Sequence, residues 1–324
     1  MENPQGLDGR HVLDGTVSKP LTSSTPDLQT ASGKPAANET THLPESLQCL
    51  HWLQSKQKVA PSLYGFPLYG KVALITGGGR GIGAGIARML ADKGCRTVII
   101  NYSSSADAAE KIRKELVELG TQAIAIKADL TKVEEIVHLF QTAVDLAGGL
   151  DIVVSNSGRE KFVPLLETTE EDFDGLLAIN TKAQFFVARE ALRHMNENGS
   201  LVLMSSIAAG LGIKGHAIYG GSKSAVESFT RCFAQDFGIK KCTVNAVAPA
   251  GIKSDMWASN AWRYAPGCDK NSSVEEIEAA LAAGSPLNRV GYPSDIGKII
   301  SFLASEDGRW INGQVIPCNG GANI

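Results

Sequence analysis

Charge of one sign, paired cysteines and long apolar runs are all scarce in this chain, and each shortage excludes something. Its 324 residues carry 31 lysines and arginines against 34 aspartates and glutamates. A net charge of -3 provides no basic stripe for nucleic acid or for an anionic membrane surface. The six cysteines, Cys49, Cys95, Cys232, Cys242, Cys268 and Cys318, are scattered, with no Cys-x-x-Cys pair and no histidine cluster beside them. That spacing argues against a metal site and fits reduced thiols in a cytoplasmic protein. The most apolar stretch, around 201–213, is too short and too interrupted to span a bilayer. The N-terminus lacks the basic start and apolar run of a secretory signal. Its Glu2, Asp8, Asp14 and Asp27 are out of keeping with an acid-poor transit peptide. Aromatic residues make up only 6% of the chain, so a group of them close together carries weight.

What is present divides near residue 65. Residues 1–43 are rich in Ser, Thr, Pro, Gly, Asn and Asp without periodicity, which predicts a disordered tail. Leu47, Leu50 and Leu53 allow one short helix over 44–58. Residues 1–65 are therefore expected to be an N-terminal extension, and 66–324 one folded domain. From Gly70 onward short β-branched runs alternate with helical stretches. Strands are predicted over 72–76, 97–102, 123–127, 151–155, 200–205, 243–247 and 314–317. Helices are predicted over 83–93, 106–119, 133–147 and 219–237. Such alternation predicts an α/β fold: a single Rossmann-type doubly wound parallel sheet of about seven strands, flanked by helices. The runs VALIT and TVIIN are apolar without alternation, as expected of strands covered on both faces.

The first strand runs into Thr76-Gly77-Gly78-Gly79-Arg80-Gly81-Ile82-Gly83, and a helix follows. Glycines permit the unusual backbone angles of a tight turn and let a phosphate approach the backbone. The helix start then offers free N–H groups to an anion. The second strand ends in Asn101-Tyr102-Ser103-Ser104, with no acid before Asp107. An NAD site usually places a carboxylate there for the ribose hydroxyl. Hydroxyl donors together with Arg80 instead suit a 2′-phosphate, so the expected cofactor is NADP(H).

Tyr219 and Lys223 stand four apart on a predicted helix and share a face. A cation about 4 Å from the phenol, at an effective dielectric near 20, would lower its pKa by ~3 units. That would suit a general acid working near neutral pH. The pair alone is weak. Ser205-Ser206, however, ends a predicted strand, where open α/β sheets place their ligands. Asn180 lies in a helical stretch between the fourth and fifth strands. His216 is close in sequence and reads as structural or peripheral.

Over residues 68–324 these motifs resemble the short-chain dehydrogenase/reductase family. The turn matches at Thr76, Gly77, Gly81 and Gly83. Asp129, with Leu130, resembles the family's adenine contact. Asn156-Ser157-Gly158 departs mildly from its Asn-Ala-Gly. Asn245 to Pro249, with Gly251, Ile252 and Ser254, resembles the stretch beside nicotinamide, although Ala250 replaces the usual glycine. Arg289, Gly291, Pro293, Asp295 and Gly313-Gln314 extend the match. Asn319 stands where aspartate is usual. The likeness is greatest to fungal naphthol and versicolorin-type polyketide ketoreductases.

The resemblance implies a catalytic set of Asn180, Ser206, Tyr219 and Lys223. Ser206 would bond the substrate carbonyl and Tyr219 would give the proton. Lys223 would lower the tyrosine pKa and grip the ribose, and Asn180 would hold a water. Ile252 would orient the carboxamide with its backbone. Met256, Trp257, Trp262 and Tyr264, in the segment 254–286, are candidates to cover a flat substrate. No metal is expected. The implied partners are a small carbonyl substrate and further copies of the chain, as dimer or tetramer. A 3-oxoacyl thioester reductase, a sugar or alcohol dehydrogenase, and a non-catalytic NADP sensor are the alternatives.

Overall fold

The computed structural model describes residues 65–322. The expectations for the tail and the helix over 44–58 lie outside the described residues. Seven strands form one sheet: β1 (Val72–Ile75), β2 (Thr97–Tyr102), β3 (Gln122–Lys127), β4 (Leu150–Ser155), β5 (Met195–Met204), β6 (Thr243–Pro249) and β7 (Val315–Cys318). Their order is β3-β2-β1-β4-β5-β6-β7, and every pairing is parallel.

The helices in chain order are α1 (Gly81–Asp92), α2 (Ala106–Glu118), α3 (Val133–Ala147), α4 (Glu170–Leu177), α5 (Ala183–His194), α6 (Ala217–Asp236), α7 (Asp255–Asn260), α8 (Val274–Ala283) and α9 (Pro293–Leu303). On α3, Ile136, Leu139, Phe140, Ala143 and Ala147 are buried, a stripe at the spacing of one helix face. Gly148 at φ 79° then ends that helix in the left-handed conformation glycine favours.

Each strand feeds two cores because successive side chains point to opposite faces. Leu74, Ile99, Val153, Leu203 and Val244 join the core under α3, α5 and α6, with Phe140, Val187 and Phe237. Ile75, Ile100, Val154, Val202 and Val247 join the core under α1, α2 and α9, with Leu90, Leu116 and Ile300. The unalternating strands of the sequence are thus explained by apolar layers on both sides.

Three regions differ from expectation. The fifth strand begins at Met195, earlier than the predicted 200. A π-helical turn over Ala178–Lys182 joins α4 to α5. The segment after β6 is not a loop but a lid of α7, a 3-10 turn over Ala261–Arg263, and α8. Ser273 and Glu276 cap α8 reciprocally. Among the described residues no helix is long and apolar enough to cross a membrane.

Candidate active site

β1 and β4 adjoin although their crossovers run in opposite directions, so a crevice opens beyond their carboxyl ends. A cavity of about 1780 Å³ lies there. That exceeds the several hundred Å³ usual for one small ligand and leaves room for a dinucleotide beside a substrate.

The turn after β1 forms one end. Gly77 and Gly81 have φ of +63° and +52°, where a side chain would be strained. A Cβ on Gly83 would sit 2.2 Å from the Gly77 carbonyl oxygen, so only glycine lets α1 start this close to the strand. The Thr76 hydroxyl accepts hydrogen bonds from the backbone N–H groups of Asn156 (2.9 Å) and Ser157 (3.0 Å). The Asn156 amide donates back to the Thr76 carbonyl at 2.9 Å. These bonds tie the ends of β1 and β4 into one rim.

Beyond β2, Tyr102, Ser103 and Ser104 line the cavity, and Arg80 extends from the start of α1. The Arg80 guanidinium lies 3.8 Å from the Asp255 carboxylate, and both side chains are largely exposed. Asn101 is fully engaged by backbone. Its amide donates to Ala128 O at 3.1 Å, and its oxygen accepts from Gly77 N at 3.3 Å. It therefore braces the turn against β3. Asp129 accepts from the Thr131 N–H and hydroxyl, both on Oδ1, and these bonds hold its carboxyl below the usual range. Leu130 is buried beside it. This donor set fits a phosphorylated dinucleotide: a glycine cradle too tight for any Cβ at Gly83, hydroxyls and a guanidinium after β2, and a free carboxylate oxygen at Asp129.

The other end collects the polar groups of β5 and α6. Ser205 and Ser206 part company here. The Ser205 hydroxyl donates to Glu227 Oε1 at 3.0 Å and is buried against α6. Ser206 caps the 3-10 turn over Ile207–Ala209, accepting from Ala208 N at 3.2 Å, and lines the cavity with Tyr219. α6 begins at Ala217, which places Tyr219 in its first turn and Lys223 one turn later. Both are buried.

The Lys223 ammonium donates to Met204 O at 2.9 Å and lies 5.7 Å from the Tyr219 ring centre. Burial lowers its pKa to about 8, against a smaller raising effect from Glu160. Tyr219 corrects the sequence expectation. Burial, then the negative charge of Glu160, push its phenol well above the ordinary value, and the Ser206 hydrogen bond opposes them only weakly. Desolvation outweighs the neighbouring cation because both side chains are buried and the lysine's own charge is destabilised there.

Asn180 sits in the π turn with no exposed surface. Its Oδ1 accepts from Arg159 N at 2.8 Å. Its amide donates to Arg159 O at 2.8 Å and to Ser222 Oγ at 3.1 Å. It thus fixes the segment 158–159 rather than offering a free amide. Gly158 packs so close that a Cβ there would be 3.1 Å from Asn180 Oδ1 and 3.4 Å from Lys223 Nζ. Pro249, Gly251, Ile252 and Ser254 line the same side, and an Ile252–Gly291 bridge pins that segment.

The lid brings Trp257 and Tyr264 to the cavity. It does not bring Trp262, whose ring packs with Ala261, Ala265 and Ile277 in the lid's own small core and under Arg263. Met256 is on α7, but its side chain lies outside the described residues. Sequence reasoning missed Glu160 and Phe162, and it placed His216 at the periphery. The His216 ring is buried, stacked on Phe162 at 4.1 Å and on Tyr219 at 4.5 Å. Nothing in the spacing of residues 160, 162, 216 and 264 marks them as neighbours; only the fold does.

The chain is similar to known proteins along most of its length. A family model described as enoyl-(acyl carrier protein) reductase matches residues 77–323. The hydroxynaphthalene reductase arp2 of Aspergillus fumigatus is 62% identical over 257 residues, 78% of this chain and 94% of that protein. The tetrahydroxynaphthalene reductase PfmaG of Pestalotiopsis fici is 50% identical over 256 residues, 79% of this chain and 92% of its own length. A short-chain dehydrogenase from Burkholderia cenocepacia, solved in complex with NADP, superposes with a TM-score of 0.71 at 32% identity. That match covers 80% of this chain and all of that one.

Proposed function

The chain belongs to the short-chain dehydrogenase/reductase family, and from that premise we propose that it is an NADPH-dependent reductase of an aromatic polyketide ketone. The substrate class is a hydroxynaphthalene or anthraquinone-type ring, in secondary metabolism. One observation carries the reading: Ser206, Tyr219 and Lys223 meet in one cavity that the aromatic side chains of Trp257 and Tyr264 also line. The names of the two fungal relatives and the NADP held by the bacterial neighbour support the same class.

When bound, NADPH supplies a hydride to the carbonyl carbon. The chain does the rest. Ser206 Oγ and the Tyr219 hydroxyl hold the carbonyl oxygen, and Tyr219 gives up its proton there. Its phenol is protonated at neutral pH because burial raises it, so the acid form is the resident one. The Lys223 charge steadies the phenolate left behind and reaches the ribose. Asn180 positions the segment 158–159 against Lys223. The Thr76–Gly83 turn, with Gly77, Gly81 and Ile82, meets the diphosphate. Arg80, Tyr102, Ser103 and Ser104 take the 2′-phosphate, and Asp129 and Leu130 the adenine. Asn156, Ser157, Gly158, Pro249, Gly251, Ile252 and Ser254 frame the nicotinamide half. Trp257 and Tyr264 cover the substrate.

Residues 66–324 form the catalytic unit of a cytoplasmic protein that assembles as a dimer or tetramer. An apolar cluster of Phe185, Phe229 and Phe233 on α5 and α6, with Phe185 partly exposed, supports assembly. The test is NADPH oxidation by the purified protein with a hydroxylated tetralone, beside NADH. Turnover preferring NADPH is expected. Tight NADPH binding without reduction of any ketone would overturn the proposal.

A further inference from the structure

Glu160 is a buried acid that neither the fold nor the proton transfer explains. Its side chain is only 7% exposed, yet it lines the cavity. Oε1 accepts a hydrogen bond from the Tyr264 hydroxyl and lies 3.3 Å from His216 Nε2. Oε2 accepts from no described residue. The His216 ring that touches Glu160 is stacked on Tyr219 at 4.5 Å between ring centres, so the carboxylate stands one imidazole away from the phenol. Its charge is felt there, raising both Tyr219 and Lys223.

A carboxylate with so little exposed surface is costly unless its acceptor sites are filled. Tyr264 and His216 fill one oxygen, and a glutamine would serve those two partners as well. The open oxygen, in the cavity that holds the ligand, is placed to accept from a donor that comes with it. Tyr264, which bonds the other oxygen, lines the same cavity as Tyr219, Ser206 and Glu160. A planar ring in this cavity, with its ketone at Tyr219 and Ser206, presents its edge substituents to Glu160.

We propose that Glu160 is a specificity-determining residue whose free carboxylate oxygen accepts a hydrogen bond from a phenolic hydroxyl on the substrate ring. The inference rests on the aromatic-ketone reading and adds what that ring must carry. Hydroxylated ketones are favoured, ketones without the hydroxyl leave the acid unpaired, and carboxylated ones meet like charge. A site built around a hydrogen bond to a charged group discriminates against analogues lacking the donor.

The experiment compares two ketones on one ring system, a hydroxylated tetralone and its unsubstituted parent, in the wild type and in Glu160→Gln. Wild type should prefer the hydroxylated ketone at least about tenfold in kcat/KM, mainly through KM. In Glu160→Gln that ratio should shrink toward one. Any general effect of the lost charge on Tyr219 cancels in the ratio. Glu160→Asp, which retracts the acid by one methylene, should also lower it, and decides the matter if the glutamine variant does not fold. Calorimetric affinities for a dihydroxynaphthalene and a matched naphthol should change in the same sense without turnover. An unchanged ratio in both variants, or no wild-type preference, overturns the role of Glu160. A wild type that reduces neither ketone overturns the functional reading instead, and the two naphthols then still decide whether Glu160 reads the hydroxyl.

Discussion

At Tyr219 two effects compete, and their sizes decide the chemistry. The four-residue spacing to Lys223 places a cation nearby, but burial of both groups outweighs it, and the phenol stays protonated. Tyr219→Phe should therefore lower turnover by about 100- to 10,000-fold. NADPH affinity, measured by fluorescence titration, should change little, and retained turnover would remove Tyr219 from the mechanism. Lys223 titrates near 8 because burial disfavours its charge. In the unfolded chain a lysine titrates near 10.4. Between those values the unfolded chain holds a proton that the folded one has lost, so stability rises with pH. The burial penalty is present below the folded pKa and is relieved as pH climbs through it. Thermal melts from about pH 7 to about pH 9.5 should show the wild type gaining on Lys223→Met. Turnover should move the other way, falling above about pH 8 as the charge disappears. Melting differences that stay constant across this range would contradict the assignment.

At the scale of elements, the turn between β1 and α1 was legible because its glycines answer a local steric demand. Adding a Cβ at Gly83 drives it into the Gly77 carbonyl at 2.2 Å, and backbone cannot yield as a flexible side chain would. Gly83→Ala should cost about 1–3 kcal/mol in denaturant unfolding and weaken NADPH binding sharply. Gly221→Ala, exposed on α6 with nothing within 4 Å of the added atom, should instead be neutral or gain about 0.5–1 kcal/mol. Equal effects at both sites would refute the steric account. The lid was not legible in the same way. α7 spans Asp255–Asn260, too short for a periodic signature, and its aromatics sort by packing rather than by sequence. Trp257 reaches the cavity while Trp262, five residues later, covers Ile277 of α8. The π turn over Ala178–Lys182 was equally silent, because one extra residue in a helical turn leaves no mark in composition.

For the whole molecule, the two cores draw on residues from Leu68 to Cys318, and the match to the Aspergillus relative spans 94% of that protein with 257 residues of this one. A chain starting at residue 65 should thus keep NADPH-dependent turnover. Its melting temperature should fall by no more than about 2 °C, the shift that corresponds to a few tenths of a kcal/mol. Loss of folding or of activity would make the N-terminal extension part of the catalytic unit.

The order of strands and helices, the glycine turn, the missing acid after β2 and the Tyr219–Lys223 spacing were all determined by the sequence alone. Each depends on contacts between residues close along the chain, or on a period that local geometry imposes. The tertiary structure decided which of Ser205 and Ser206 is tied to Glu227, in which direction the Tyr219 phenol shifts, and that Glu160, His216 and Tyr264 lie together. Those are matters of burial and of contacts between distant segments, and desolvation has no signature until the chain has folded around the group.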